Sequence, residues 1–526
     1  MSRWLRRKIV VLAALVLAAP VVSQTTVGPP RLPVVELPGT VFIAGGGALP
    51  EAVRQRFVQL AGGKDAKLVV VSAATDVEQQ LAAWKQLGPA SVVPLVASQR
   101  DDADKEAFVK PLAEATAVWL VGDPDKLASA WRGTAAEKEL HKLLQRGGTI
   151  GAPAATVAVL GPVMWTGKPQ PEFAPAFGLL PGALVEPRLR PGERDAVLLA
   201  KQPGYFGLSV EDRTALIVKG RRLTVVGDGA AAICQAAGAN RPASQRSLKT
   251  GEVADLVAQS RIAISRAQPP FPPEKPAAVS VPKGALVIGG GGGMSLDVWK
   301  RFIDLAGGPD APLVVIPTAL EDPVPAEPGE VKALKKAGAK NIRIMHTRDR
   351  AEADKAAFAA PLREAKGVWF SGGRQWRFVD AYEGTLTEKG FHDVLARGGV
   401  IGGSSAGASI QTEYMPRGDP LGNLNIIAEG YERGFGFLKG AAVDQHFFAR
   451  NRTKDMTELI KTYPQLLGIG IDENTTIIVQ GTVLEVMGKT KVAVYDRRQP
   501  IKDGALDYEE LPSGTRYDLE KRKRID

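Results

Sequence analysis

The residues with the plainest chemical potential are a serine set among glycines and a small stock of histidines. Residues 403–407 read Gly-Ser-Ser-Ala-Gly, a G-x-S-x-G pattern preceded by the apolar GGVIGG and followed by the helix-compatible ASIQTEYM. Between a strand and a helix, such small residues let the chain reverse sharply, project the central hydroxyl of Ser405 and leave neighbouring backbone N–H groups free. The same pattern also serves plain tight turns, so its context gives it meaning. A serine hydroxyl attacks a carbonyl only when a base takes its proton. The chain has 4 histidines: His141, His346, His392 and His446. His141 and His392 sit in the similar segments EKELHKLLQRGG and EKGFHDVLARGG, which suggests packing or capping for both. His346 follows the strand-like NIRIM and could face the rim of a site. His446, in VDQHFFARNR after an apolar run, is the stronger base. An imidazole base needs a carboxylate to hold its ring. GIGIDENTTIIV offers Asp472 and Glu473, and Asp444 and Asp419 are further acids; a lone acid at such places is ordinarily a turn or cap residue.

These groups must be carried by elements, and the elements are written twice. GTVFIAGGG (39–47) matches GALVIGGGG (284–292), and RFVQLAGGKDAKLVVVSAAT (56–75) matches RFIDLAGGPDAPLVVIPTAL (301–320). DKEAFVKPLAEATAVWLVG (104–122) matches DKAAFAAPLREAKGVWFSG (354–372), and LLQRGGTIGAPAATVAV (143–159) matches VLARGGVIGGSSAGASI (394–410). The order and spacing predict a tandem duplication. In the second copy ALVIGG, PLVVIPT, NIRIM, GVWFSG and GVIGGS read as buried strands, alternating with helically spaced LDVWKRFIDLAG, EPGEVKALKKAG and DKAAFAAPLREA. This β-α-β alternation predicts mainly parallel sheets with helices on both faces. Ligands of such sheets bind beyond the C-terminal strand ends, where Ser405 stands.

The first copy is an internal control. It puts Ala154 opposite Ser405, Arg188 opposite His446 and Asp212 opposite Glu473, and turns the glycine-rich WFSGGRQ into WLVGDPD. Scaffold residues persist, with Trp119 opposite Trp369. Loss of the hydroxyl and the imidazole together predicts an inert first domain.

At 526 residues, 44% of them apolar and 24% charged, the chain is long enough for two or three domains, and wholesale disorder is excluded. A lone Cys234 excludes an internal disulfide framework. Residues 1–23 combine basic Arg3, Arg6, Arg7 and Lys8 with the apolar IVVLAALVLAAPVV, a signal-peptide pattern with cleavage before Gln24. That predicts an exported protein, periplasmic or extracellular, with no stable membrane association after cleavage. The net charge of +10 is partly carried by that segment, and no basic block inside the chain suggests nucleic acid. The expected division is a leader at 24–37, an inert domain at 38–265, a Pro-rich linker at 266–283, a catalytic domain at 284–500 and a charged, solvated tail at 501–526.

WFSGGRQ, GGSSAGAS, DQHFFARNR and GIGIDENT, in this order, make the second copy resemble the cyanophycinase group of serine peptidases, relatives of α-aspartyl dipeptidase. The resemblance implies two class I glutamine-amidotransferase-like (flavodoxin-like) domains, the first degenerate. It implies a Ser405–His446–Glu473 triad, an oxyanion hole from the N–H groups of Gly373 and Ala406, and a substrate pocket of Gln375, Gln445, Arg450 and Arg452. The implied reaction needs no metal and no cofactor: hydrolysis of cyanophycin, an arginine-bearing polyaspartate, to β-Asp-Arg dipeptides. Two positions depart from the group. Arg374 stands where an acid is usual, and Lys454 and Asp455 stand where a third pocket arginine is usual. Both bear on substrate, so other Asp- or isoAsp-containing peptides are the alternative. A non-catalytic extracellular binding scaffold is a third reading. The glycine runs at 45–47 and 289–293 lack the acid that a dinucleotide site needs after the next strand, and more simply let the chain pass close to the elbow. The inert copy could also act as an intrachain pseudodimer partner.

Overall fold

Runs of Val and Ile flanked by glycine are buried on both faces, which is the composition of central parallel strands. The computed structural model describes residues 36–72, 78–96, 99–168, 170, 172–187, 193–498 and 505–525. The signal segment and most of the leader lie outside the described residues, as does Arg188. In the second half the strands Ile342–Ile344, Leu313–Ile316, Gly367–Phe370, Val400–Ser404 and Val281–Gly289 lie side by side, all parallel. Thr475–Gly481 then pairs antiparallel with Val281–Gly289, and Val483–Gly488, Arg516–Asp518 and Lys523–Ile525 extend the sheet. A second sheet holds Thr412–Tyr414, Leu438–Gln445, Leu467–Ile471, Lys491–Tyr495 and Glu509–Pro512.

The first half has the same order in its main sheet, from Ser91–Val96 through Lys67–Ser72, Ala117–Val121, Thr149–Pro153 and Leu37–Ala44 to Thr214–Gly220 and Arg222–Gly227. One packing detail recurs. A Cβ on Gly402 would lie 2.4 Å from the Trp369 ring and 2.8 Å from Phe302, and one on Gly151 would lie 2.5 Å from Trp119 and 2.7 Å from Phe57. Each glycine lets an indole lie flat on a strand, with the Phe302 and Trp369 rings edge-to-face at 5.0 Å.

Three expected boundaries are corrected. The described part of the expected tail, 505–525, is not solvated chain: Glu509–Pro512 and Lys523–Ile525 are edge strands, Arg516–Asp518 pairs on both sides, and Arg524 donates to Glu509 Oε1 at 2.7 Å. Edge strands tolerate this density of charge because one side of each faces water. The linker ends early, since Val281 is fully buried at the start of its strand. Likewise Leu37, at the end of the leader, opens the Leu37–Ala44 strand. The helix expected from ASIQTEYM is one turn, Ala406–Ser409, after which Thr412–Tyr414 joins the second sheet. Gln411 donates its amide to Gly407 O at 2.8 Å and the Thr412 hydroxyl to Ser409 O at 3.0 Å, and these side-chain bonds occupy helix-end carbonyls.

Candidate active site

The Val400–Ser404 strand ends in Ser405, whose backbone sits at φ 55°, ψ −115°, outside the regions open to side-chain-bearing residues at no cost. Its N–H donates to Gly289 O at 3.0 Å. The two glycines of the pattern are required by close approach: a Cβ on Gly403 would stand 2.3 Å from Gly407 O, and one on Gly407 2.0 Å from Phe370 O. The turn therefore points the hydroxyl away from the sheet, at the C-terminal strand ends.

His446 follows the Leu438–Gln445 strand, also at positive φ (52°), with its N–H on Gly290 O at 2.9 Å. Glu473 follows the adjacent parallel strand Leu467–Ile471. Ser405 Oγ lies 2.9 Å from His446 Nε2, and His446 Nδ1 lies 2.7 Å from Glu473 Oε1. With Nδ1–H donating to the carboxylate, Nε2 is left to accept the serine proton. The His446 side chain is 10% exposed and Glu473 34%, so the file opens toward solvent at its acid end. Burial pushes the His446 imidazole below its ordinary range, outweighing the Glu473 hydrogen bond that pulls it up; Arg450 and Arg452 push the same way as burial. The ring is thus neutral, a base ready to accept, at neutral pH.

The glycine run 289–293 packs on this file. A Cβ on Gly291 would stand 2.4 Å from His446 Cε1, and one on Gly292 2.6 Å from Glu473 Oε2. The run keeps the chain thin against the imidazole and carboxylate.

The other candidate acids and base have different partners. Asp472 caps Ala449 N–H at 2.8 Å, Asp419 takes Leu421 N–H at 2.8 Å, and Asp444 is fully buried between guanidinium groups. His346 Nδ1 lies 3.0 Å from the Thr318 hydroxyl. His141 Nε2 lies 2.9 Å from Phe177 O, and the His392 ring packs on Phe437 at 4.7 Å.

Gly372 stands beside the serine, where a Cβ would be 3.5 Å from Ser405 Cβ, and Gly373 follows at φ 127°. The N–H groups of Gly373 and Ala406 donate to no other group among the described residues. Of the four expected pocket side chains, Arg450 is exposed and free to meet a ligand. Gln375 is buried with its amide donating to Pro416 O and Arg417 O, both at 2.8 Å. Arg452 is buried too, donating to Asp444 Oδ1 at 3.0 Å and to Gln445 O and Oε1 at 2.6 and 3.0 Å. Arg374 spends its guanidinium on Asp419 O and Gly422 O at 2.6 and 2.8 Å.

Sequence reasoning missed Arg417. At φ 60° and fully buried, it reaches Asp444 Oδ2 at 2.9 Å and Asp455 Oδ2 at 2.6 Å, and so underpins the Asp444-Gln445-His446 run. Asp455 stands where a third arginine was expected, and its partner guanidinium arrives from another loop. A Pro-Arg-Gly-Asp turn carries no spacing that announces this.

In the first half Ala154 occupies the place of Ser405 at φ 49°, so the turn persists without the hydroxyl.

Residues 285–487 match the model of peptidase family S51. A cyanophycinase of Geminocystis herdmanii is 31% identical over 216 residues, covering 40% of this chain and 79% of that protein. A cyanophycinase of Trichormus variabilis is 30% identical over 220 residues, 40% of this chain and 72% of that one. Among solved structures, a peptidase from an acI-B1 Actinobacterium is 22% identical, with 45% of this chain and 97% of that one covered at a TM-score of 0.36. The chain belongs to peptidase family S51 and is a serine-type peptidase.

Proposed function

We propose that the second half hydrolyses cyanophycin, or a closely similar aspartate-rich polymer, through a Ser405–His446–Glu473 triad. The observation that carries this reading is the continuous hydrogen-bonded file from the Ser405 hydroxyl through His446 to Glu473. Ser405 Oγ adds to the carbonyl carbon while its proton passes to Nε2. The resulting oxyanion is met by the free N–H groups of Gly373 and Ala406. His446 returns the proton to the leaving amine, the C–N bond breaks, and an ester to Ser405 remains. Water, deprotonated by His446, releases the product carboxylate and restores the hydroxyl.

The relatives' names support the substrate, and the exposed Arg450 guanidinium suits a carboxylate-bearing chain. The test is incubation of the purified protein with insoluble cyanophycin, with β-Asp-Arg identified by mass. Ser405→Ala should release nothing, and unchanged release from it would overturn the reading. A second reading, other Asp- or isoAsp-containing peptides, is favoured by the internal use of Arg452 and Gln375, which leaves a smaller recognition set; a peptide panel separates the two.

The matched sequence blocks and strand order support a tandem duplication with an inert first half. The basic-apolar N-terminus supports export, so the mature protein should begin at Gln24 by intact mass.

A further inference from the structure

The two halves meet through a one-way pattern of charge, in which arginines of the first half grip acids of the second. Arg221 forks onto Asp255 at 2.6 and 3.0 Å, then reaches across to Asp380 Oδ2 at 2.9 Å and the Tyr431 hydroxyl at 3.1 Å. Its guanidinium lies over the Trp376 ring at 4.4 Å, and Tyr431 closes the set by donating to Asp380 Oδ1 at 2.8 Å. Arg261, fully buried on the Leu256–Arg266 helix, donates to Gly430 O at 2.7 Å and to both oxygens of Glu383 at 2.9 and 3.3 Å. Arg266 forks onto Glu429 at 2.6 and 3.0 Å.

The gripped stretches, residues 376–383 and 429–432, each lead by chain or hydrogen bond to residues 373–375. The Trp376–Tyr382 helix follows directly on Gly373, Arg374 and Gln375. Glu432 O takes the Met415 N–H at 2.7 Å, and the next residues on that strand-to-loop path, Pro416 and Arg417, hold Gln375. Forked, buried guanidinium pairs are geometrically demanding contacts. Oxyanion donors act only if fixed before charge develops.

We propose that the first half is the positioning unit of the peptidase site, with Arg221 a positioning residue that acts through Trp376 and Asp380 to hold the Gly373 N–H toward the scissile carbonyl. This rests on the hydrolytic reading of Ser405 given above. Arg221 touches neither substrate nor triad. Its removal frees a helix held at both Trp376 and Asp380, whose N-terminus follows directly on the oxyanion donor Gly373, and a displacement of about 1 Å there costs on the order of a hundredfold in rate.

The test uses the full chain with Arg221→Ala, Arg221→Lys and, as a control, the exposed neighbour Arg222→Ala. Hydrogen–deuterium exchange, the rate of labelling by a fluorophosphonate and the pH dependence of that labelling are measured. Arg221→Ala should speed exchange at least tenfold across residues 371–382 and leave the Leu313–Ile316 strand unchanged. Labelling should slow about ten- to a hundredfold with an unmoved pH midpoint, because the contacts of His446 are intact. Lysine should rescue little, as it cannot fork and stack together, and Arg222→Ala should match the native chain. Unchanged exchange at 371–382, labelling within twofold of native, a shifted midpoint, or acceleration spread over the whole chain would each overturn the proposal. Failure of the native chain to label would instead sink the hydrolytic reading, while the exchange data would still uphold or overturn the clamp. Should Arg221→Ala not fold, Arg221→Met with Asp255→Asn and Asp380→Asn, which removes both carboxylates that the guanidinium paired, carries the same expectations.

Discussion

Replacing Gly291 by alanine tests the site through a residue that carries no functional group. The new methyl would lie 2.4 Å from His446 Cε1 and 2.8 Å from Nε2. Carbon atoms settle at roughly 3.5–4.0 Å, so the ring must withdraw by about 1 Å or more. From 2.9 Å, a retreat of that size takes Nε2 out of hydrogen-bonding reach of Ser405 Oγ. Misplacement on this scale costs on the order of a hundredfold in rate. The substitution also strains the backbone, since Gly291 sits at φ 97°, where a side chain costs about 1–2 kcal/mol. Gly307 separates the two effects: it sits at φ 105° with nothing within 4 Å of its would-be Cβ. Gly307→Ala should therefore show the backbone cost alone, while Gly291→Ala adds the cost of displacing the ring and alone loses about a hundredfold in fluorophosphonate labelling. If Gly291→Ala labels as fast as Gly307→Ala, the imidazole is not poised against that glycine and the assignment of His446 as base fails.

Labelling and turnover should rise with pH to a plateau through a midpoint below about 6.5, because burial favours the neutral His446 that acts as base. In Glu473→Gln the midpoint should fall further, as the lost hydrogen bond was raising it, and the plateau should drop on the order of a thousandfold or more; a midpoint that rises contradicts the file. Asp444→Asn leaves Arg417 and Arg452 facing a neutral amide in a buried setting, so urea unfolding should show a loss of about 3–5 kcal/mol. Ser405→Gly should abolish labelling yet stabilise the chain by about 1–2 kcal/mol, because φ 55°, ψ −115° is costly for serine and open to glycine.

Much of this site is legible in sequence because each functional group ends a strand. Ser405, His446 and Glu473 each follow a short apolar run, and a parallel sheet gathers such ends along one edge. The glycines of 289–293 were visible as a run, but their purpose depends on what they pack against, which no spacing reveals. Arg417 was invisible because its position depends on a single left-handed residue folding a loop back under Asp444. The C-terminal strands were read as tail because a charged edge strand and a charged tail share a composition. The acids gripped by the first half, Asp380, Glu383 and Glu429, are scattered along the chain and become a set only in three dimensions.

Ala154 sharpens what the geometry of Ser405 means. It keeps a positive φ of 49° with no hydroxyl to present, directly after the equivalent strand and as the first residue of the 3-10 helix Ala154–Leu160. Its strained turn is therefore a property of the scaffold, sustained by strand pairing and close packing even where there is nothing to activate. It follows that strain at Ser405 does not by itself mark a nucleophile. The distinguishing feature of the second half is the meeting of three side chains from separate elements, with glycines 291 and 292 bare enough to let them meet. Restoring serine alone at Ala154 would rebuild the turn's hydroxyl without an imidazole partner, since the sequence puts Arg188 where His446 stands in the second half. Full-length Ala154→Ser combined with Ser405→Ala should accordingly remain unlabelled by the fluorophosphonate, and labelling of that double variant would show that the elbow alone suffices for nucleophilicity.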